Sequence, residues 1–371
     1  MLLHISNNYI SSKVHKNLIL SLSKYIDESQ EVYIPIRNPS HYGVNTITEV
    51  NNVNLIYSHC LMRLMRFFPF FKVLRVTFDC LLSLEGRFLN GDNTIIAHTL
   101  WSDGAVAYLL SLIKGADYIL IVRNTDINLF LPKLMHYRFL IKLIIKRSKA
   151  LVFISHAHKR RFANTYPEIY RYSENTYTIP NGIEEFWFKN HTTIRHHRDN
   201  SIIFVGKFEK NKNLPAIVNS ALLLRKKDIN VNLTMVGGTL EEFVKLTGLK
   251  SIPDWITVLE HVEKERLIEL YRSSCVFIMP SFHETFGLVY IEALSQGCSL
   301  IYTKGEGVDG YFNDCDFAIG VDPSDWQSIS FSIAYLLNKY PDGISDDMFI
   351  DILNQFSWDD VAKKYLGILT N

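Results

Sequence analysis

Glu284 and Glu292 stand eight residues apart around the step Phe286-Gly287-Leu288, and that spacing has a chemical reading. Ahead of them, Cys275-Val276-Phe277-Ile278-Met279-Pro280 is continuously apolar and stopped by proline, as expected of a strand buried on both faces. Residues 288–296 fit a short helix, and Gly297 is the expected glycine stop. In a strand–loop–helix unit the ligand sits beyond the carboxyl end of the strand, facing the free amides of the helix N-terminus. The amides of Phe286, Gly287 and Leu288 are therefore placed for an anion, most naturally a phosphate. Gly287 carries no side chain to block its approach. Eight positions at about 1.5 Å rise put the two carboxylates about 12 Å apart. One can face the end of an extended ligand and the other its middle, which is the layout of a nucleoside diphosphate sugar.

Positive charge for such a ligand stands at the end of another apolar run. Residues 201–205 read as a strand, followed by Gly206, Lys207 and, five residues on, Lys212. The two lysines are placed to clamp a pyrophosphate as a sugar–phosphate bond breaks. Met235-Val236-Gly237-Gly238 ends a further strand in glycines, as expected where backbone comes close to a nucleotide. In the first half, a strand over 94–97 ends at His98 and leads into Asp103 and a helix. The strand over 118–122 ends at Arg123, with Asp126 three residues on; both sets lie at strand carboxyl ends. Arg123 and Asp126 also suit each other as an ion pair.

The full phrase Pro280-Ser281-x-x-Glu284-x-Phe286-Gly287-Leu288-x-x-x-Glu292-Ala293-x-x-x-Gly297 resembles the signature of the retaining, GT-B-fold glycosyltransferases of family 4, with every signature position filled. The resemblance implies two Rossmann-like doubly wound α/β domains facing across a cleft. It implies that Glu284 contacts the donor sugar and Glu292 the ribose, and that His261 and Val262 lie where backbone reads the base. It leaves uracil and guanine undistinguished. It also sets His98 near donor sugar and acceptor. Ser11, Ser12, Lys13, Asp103, Arg123 and Asp126 are then assigned to the acceptor or sugar side. The chain departs from the family in four places. Lys207 replaces an arginine, Arg123-Asn124 replaces His-Gly, no glycine occurs in residues 7–14, and the loop 305–310 lacks the common Gly-Gly-x-x-Glu form.

Behind these residues lies an alternation of strand and helix patterns. Strands are expected at 2–6, 32–36, 55–57, 94–97, 118–122 and 150–154, then at 201–205, 232–236, 257–259, 276–279 and 299–302. That pattern predicts two doubly wound α/β domains, and 371 residues at 47% hydrophobic can fill both cores. The expected division is an N-terminal domain over 1–185, a linker over 186–200, a nucleotide-sugar-binding domain over 201–355, and a helix over 356–371 returning to the first domain. The turn sequence Ile179-Pro180-Asn181-Gly182-Ile183 marks the boundary.

Formal charge is only +1, yet residues 1–190 hold 22 Lys+Arg against 14 Asp+Glu, and residues 191–371 hold 17 against 24. The N-terminal half is thus suited to something anionic. A stretch opening at Leu61 and closing at Arg75 mixes aromatic and basic residues without an acid, and a second, from Lys133 to Lys149, is similarly basic and apolar. Both suit the surface of an anionic membrane. The five irregularly spaced cysteines form neither a disulfide framework nor a zinc pattern, in keeping with a cytoplasmic protein peripheral to the inner face of the membrane. No apolar run of spanning length and no signal peptide is read. Asp314-Cys315-Asp316 is read as surface, with no metal and no cofactor beyond the sugar nucleotide as co-substrate.

The expected activity is therefore a metal-independent, retaining hexosyl transfer from a UDP- or GDP-linked sugar to a lipid-linked glycan of O-antigen or capsule type. Two other readings stay open: a GT-B sugar-nucleotide epimerase, and a non-catalytic nucleotide-sugar-binding subunit of a transferase complex.

Overall fold

Short apolar runs separated by amphipathic stretches favour parallel strands covered on both faces by helices, and the chain forms two such units. The computed structural model describes residues 1–84, 93–133, 135–192 and 198–370, the side chain of Arg66 excepted. Residues 193–197 of the expected linker, and residue 134 of the second basic segment, lie outside the described residues.

Unit 1 holds residues 1–154, 158–182 and the segment from Trp358 onward. Its strands are β1 (Leu2–Ile5), β2 (Gln30–Pro35), β3 (Val53–Ser58), β4 (Thr94–Ala97), β5 (Asp117–Val122), β6 (Ala150–Phe153) and β7 (Thr176–Thr178). They pair in parallel in the order β3-β2-β1-β4-β5-β6-β7. The order reverses between β1 and β4, so a crevice opens beyond the carboxyl ends of those two strands. The last helix, Trp358–Thr370, repeats apolar residues at Val361, Ala362, Tyr365 and Ile368, one face of a helix. That stripe packs with Leu18 and Leu22 of the helix Lys13–Ser23 and with Ile119 and Ile121 of β5. Its first turn carries Asp359 and Asp360, which suit the positive end of the helix dipole.

Unit 2 holds residues 155–157 and 183–357. Its strands are β8 (Ser201–Val205), β9 (Asn232–Val236), β10 (Ile256–Leu259), β11 (Val276–Met279), β12 (Ser299–Thr303) and β13 (Ala318–Val321). They form one parallel sheet in the order β10-β9-β8-β11-β12-β13, reversing between β8 and β11. Every residue of β11 and β12 is buried, as unbroken apolar runs require of central parallel strands.

The expected linker over 186–200 needs correction, because its described parts belong to the body of unit 2. The helix Glu185–Lys189 buries Trp187 against Tyr271. Arg198 is buried too, its guanidinium donating to the carbonyls of Ser274, Gln296 and Gly297. A buried arginine stays charged and needs such acceptors, and its isolated place in a polar run concealed that role. Two strands were not anticipated. β7 is a three-residue polar edge, Thr-Tyr-Thr, and β13 carries Gly320 in its interior, so neither shows the apolar run that marks the others.

Candidate functional site

Beyond the carboxyl edge of β8, β9 and β10, unit 2 has a pocket of about 410 Å³. Gly206 and Lys207 line it from the end of β8, Val236 and Gly237 from β9, and His261, Val262, Glu263 and Lys264 from beyond β10. Val289 and Glu292 enter from the helix Leu288–Ser295. Gly206, Lys207, Gly237, His261, Val262 and Glu292, all singled out in the sequence, thus meet in one cavity. Gly237 sits at φ +122°, and a Cβ there would lie 2.4 Å from the carbonyl oxygen of Gly206. Only glycine lets these two strand ends come this close. Lys207 is exposed at the rim.

Glu292 has its carboxyl pushed up to about 7, first by burial, then by the nearby charge of Glu184, with Lys264 acting in the opposite sense. Lys264 is ion-paired to Glu184 and lies over the ring of Phe186, 5.7 Å from its centroid. Neither Glu184 nor Lys264 was singled out in the sequence. A glutamate just before a helix and a lysine at the first position of another carry no signature.

The second carboxylate sits elsewhere in unit 2. Glu284 Oε2 accepts from Lys212 Nζ at 2.6 Å, with both side chains largely buried. Two loops are stitched together to bring this about. The Asn211 side chain donates to the carbonyl of His283 at 2.8 Å and accepts its amide at 3.0 Å, and Phe282 donates to the Asn211 carbonyl at 2.9 Å. The buried Glu306 accepts the Glu284 amide at 3.0 Å, and Gly307 donates to the Glu284 carbonyl at 3.2 Å. The loop after β12 thus braces the backbone of Glu284. Glu306 was read only as part of that loop; its role depends on a backbone contact that no side-chain pattern reports.

Between the two glutamates, the amides of Phe286, Gly287 and Leu288 donate to no protein group among the described residues. Gly287 takes φ +83°, and a Cβ would meet the Tyr290 ring at 2.6 Å and Glu284 Cγ at 3.2 Å. The Phe286 side chain turns the other way, into the core beside Tyr311 and Phe356, so only its backbone can serve a ligand.

In unit 1 the expected residues divide. His98 was expected near donor sugar and acceptor, but its ring is fully buried with both nitrogens engaged. Nε2 pairs with His4 Nδ1 at 3.2 Å and Nδ1 with His15 Nδ1 at 3.0 Å, and His4 continues to the Gln30 side chain at 3.1 Å. Burial holds all three imidazoles neutral, lowering their proton affinity well below the ordinary histidine range. In this arrangement neither ring nitrogen of His98 is turned to a ligand. His4 and His15 gave no signal beyond their residue type.

Arg123 and Asp126 do not pair through their side chains as expected. The Asp126 carboxylate accepts the backbone amides of Arg123 at 2.9 Å and Leu100 at 3.1 Å, tying the loops after β5 and β4 together. The Arg123 guanidinium donates to the carbonyl of His98 and the side chain of Asn181, both at 3.3 Å. Ser12 caps the helix Lys13–Ser23 by accepting the Val14 amide, and Ser11 bonds the Asn8 carbonyl. Lys13 is exposed. Asp103 is buried beside Asn7, which donates to its Oδ1 from both amide and side chain. Asp316 pairs with Lys339 and Tyr340 at the surface of unit 2. Among the described residues no three His, Cys, Asp or Glu side chains take a metal-holding arrangement.

Residues 187–349 match the sequence profile of the family described as Glycosyl transferases group 1. A D-inositol 3-phosphate glycosyltransferase of Paenarthrobacter aurescens is 33% identical over 137 residues, 34% of this chain and 33% of that protein. Sucrose-phosphate synthase 1 of Arabidopsis thaliana is 28% identical over 180 residues, 47% of this chain and 17% of that protein. These matches span a third or less of each relative. Solved structures are similar over almost the whole chain. Sucrose-phosphate synthase from Thermosynechococcus elongatus superposes with a TM-score of 0.71 at 16% identity, covering 99% of this chain and 97% of that one. The α,α-trehalose 6-phosphate synthase of Burkholderia multivorans gives 0.70 at 13%, covering 100% and 96%. The fold is GT-B, two parallel-sheet α/β domains.

The Glu292 carboxyl generates a pH prediction. Folding raises its proton affinity, so its burial costs little below the unfolded value of 4.5 and is fully felt above about 7. Glu292→Gln should therefore gain stability over the parent as pH rises from 5 to 8, by roughly 2 kcal/mol at the upper end. Thermal melts across that range check it, and a difference independent of pH would contradict it.

Proposed function

We propose that this chain, whose second unit carries a glycosyl transferases group 1 domain, moves a sugar from a UDP- or GDP-linked donor onto a lipid-linked glycan acceptor. The observation that carries the reading is the pocket beyond β8–β10, where Gly206 and Gly237 allow close backbone approach and Glu292 enters beside the base-reading edge at His261 and Val262. Glu292 accepts hydrogen bonds from the ribose hydroxyls. The open amides of Phe286, Gly287 and Leu288 receive the diphosphate, and Lys207 and Lys212 balance its charge. Glu284, braced by Glu306 and Lys212, addresses the sugar.

The transfer we propose is retaining and needs no metal. The anomeric carbon–oxygen bond to the diphosphate breaks as the acceptor oxygen bonds the same face. The leaving phosphate oxygen takes the acceptor proton. Charge accumulates on the diphosphate, where two lysines and the helix amides stabilise it. Unit 1 serves the acceptor side, through Asp103 and the exposed Lys13.

Exposed apolar groups in unit 1 support work at a membrane surface. The helix Pro69–Ser83 buries Val73, Val76 and Cys80 but leaves Phe71 65% and Phe78 57% exposed. Phe67 and Phe68, just ahead of it, are exposed as well, and so are Met135 and Phe139 of the second basic segment. Aromatic groups flanked by Arg63, Arg75 and Lys142 suit the headgroup region of an anionic bilayer at the cytoplasmic face. No helix among the described residues is long and apolar enough to cross one.

Two measurements test the proposal. Nucleotide release from a panel of UDP-, GDP- and dTDP-sugars should come from one donor and rise when a lipid-linked oligosaccharide extract is added. It should fall about 10²–10³-fold in Lys212→Ala. Glu284→Ala should lower turnover more than nucleotide affinity, and Glu292→Ala the reverse. Donor consumption that ignores every acceptor would point to an epimerase, and tight nucleotide binding without release to a binding subunit. Separately, co-sedimentation should recover more protein with anionic than with neutral vesicles, and Phe71→Ser with Phe78→Ser should abolish the difference. Equal recovery of the parent with both vesicle types would sink the membrane assignment.

A further inference from the structure

The pocket beyond β8–β10 holds an arrangement that nucleotide binding alone does not require. Glu292 enters it, and its carboxyl has no hydrogen-bond or ion-pair partner among the described residues. Lys264 lines the same pocket, yet its ammonium group pairs instead with Glu184 and lies 5.7 Å from the centroid of the Phe186 ring. A carboxylate and a lysine thus share one cavity without sharing a bond.

The position of that lysine is itself costly. Lys264 is the first residue of the helix Lys264–Arg272, where the helix dipole disfavours a cation. Glu184 offsets that cost, and it stands between two fixed points of the chain. Just before it, the Ile183 amide donates to the Phe356 carbonyl at 2.9 Å. Just after it, the buried Trp187 packs on Tyr271 of the lysine's own helix, with ring centroids 5.9 Å apart. The electrostatics agree with this geometry. Burial acts first on Glu292, then Glu184, and only then the oppositely charged Lys264.

Other titratable groups near Glu292 are few. Lys207, His261 and Glu263 line the same pocket, and Tyr271 is held protonated by burial. The helix Asp346–Asn354, packed on the helix of Glu292, buries Phe349 and Leu353 rather than its aspartates. Glu185 and Lys189 pair with each other at the surface.

We propose that Glu184 is a positioning residue for the nucleotide: by holding Lys264 against Phe186, it keeps the Glu292 carboxylate unpaired and open to the ribose hydroxyls. The proposal rests on the donor reading of this pocket. A carboxylate has two acceptor oxygens, and one already given to a lysine is lost to the pair of hydroxyls that a ribose presents. Released from Glu184, Lys264 is the cation lining this cavity that competes for them.

The test is calorimetric titration of the full chain with UDP and with GDP, from pH 6 to 8.5. The parent is compared with Glu184→Gln, with Lys264→Met and with the two combined. The Lys264 and Glu184 side chains are 40% and 42% exposed, so these changes leave the core of unit 2 intact. At pH 8, Glu184→Gln should weaken nucleotide binding about tenfold, the scale of one hydrogen bond to a charged group. Adding Lys264→Met should restore it, which repair of a merely structural loss would not do. As pH falls, binding weakens once Glu292 takes a proton. Lys264→Met alone leaves Glu184 unneutralised beside it, so that weakening should begin at higher pH than in the parent, whereas Glu184→Gln should move it lower. Each profile is read against the parent, so that the titration of the diphosphate itself cancels. Glu184→Gln binding as tightly as the parent, a loss that Lys264→Met does not repair, or pH profiles displaced in the same direction would overturn the proposal and leave the donor reading standing. A parent that binds neither UDP nor GDP would overturn the donor reading, and this proposal with it.

Discussion

The ion pair between Lys212 and Glu284 is the interaction on which the candidate donor site depends. It closes at 2.6 Å between side chains that are 16% and 13% exposed, and it joins the loops that leave β8 and β11, the pair of strands where the sheet order reverses. Removing one partner of such a pair leaves an uncompensated, poorly hydrated charge, a loss on the order of 3–5 kcal/mol. The surrounding bonds make sense in that light. Asn211 locks the two loops backbone to side chain, Glu306 holds the Glu284 amide from below, and Gly287 takes the left-handed turn that keeps a Cβ off Glu284. A diphosphate received here, as proposed, would meet a lysine already neutralised by a carboxylate.

Both units are built on the same constraint, a parallel sheet whose chemistry sits at its carboxyl edge, yet they fill that edge differently. In unit 2 the edge is open: glycines replace side chains at the ends of β8 and β9, and three successive amides have no acceptor among the described residues. In unit 1 the edge is largely closed by polar groups that satisfy one another. The linked imidazoles of His4, His98 and His15 and the two-amide grip of Asp126 lock the loops after β1, β4 and β5. An edge stiffened this way can hold the Asp103 carboxyl fully buried beside Asn7.

Much of the fold was legible because parallel strands announce themselves as apolar runs. β4, β8, β9 and β11 have the bounds expected of them. β7 and β13 escaped because an edge strand of threonines and one interrupted by glycine carry no such run. Trp187 and Arg198 were misread as linker because their burial is decided by partners far along the chain, Tyr271 for one and the carbonyls of 274, 296 and 297 for the other. Gly206, Gly237 and Glu292, which meet in one cavity, were readable for a local reason: a strand end, a glycine and a helix start lie within a few residues of each other. His98 was legible as a residue of the edge, but its neighbours in space, His4 and His15, are 94 and 83 residues away in sequence. Only the fold could show that its ring nitrogens are already spoken for.

The amides at the start of the helix Leu288–Ser295 are proposed to receive the diphosphate of a nucleotide bound beside Glu292. Hydrogen exchange of the full chain, with and without saturating UDP or GDP, reads those amides directly. Slowed exchange at Phe286, Gly287 and Leu288, together with protection around Gly206 and Val262, is the predicted result. A nucleotide that binds while leaving the exchange of these three amides unchanged would rule out that role for them.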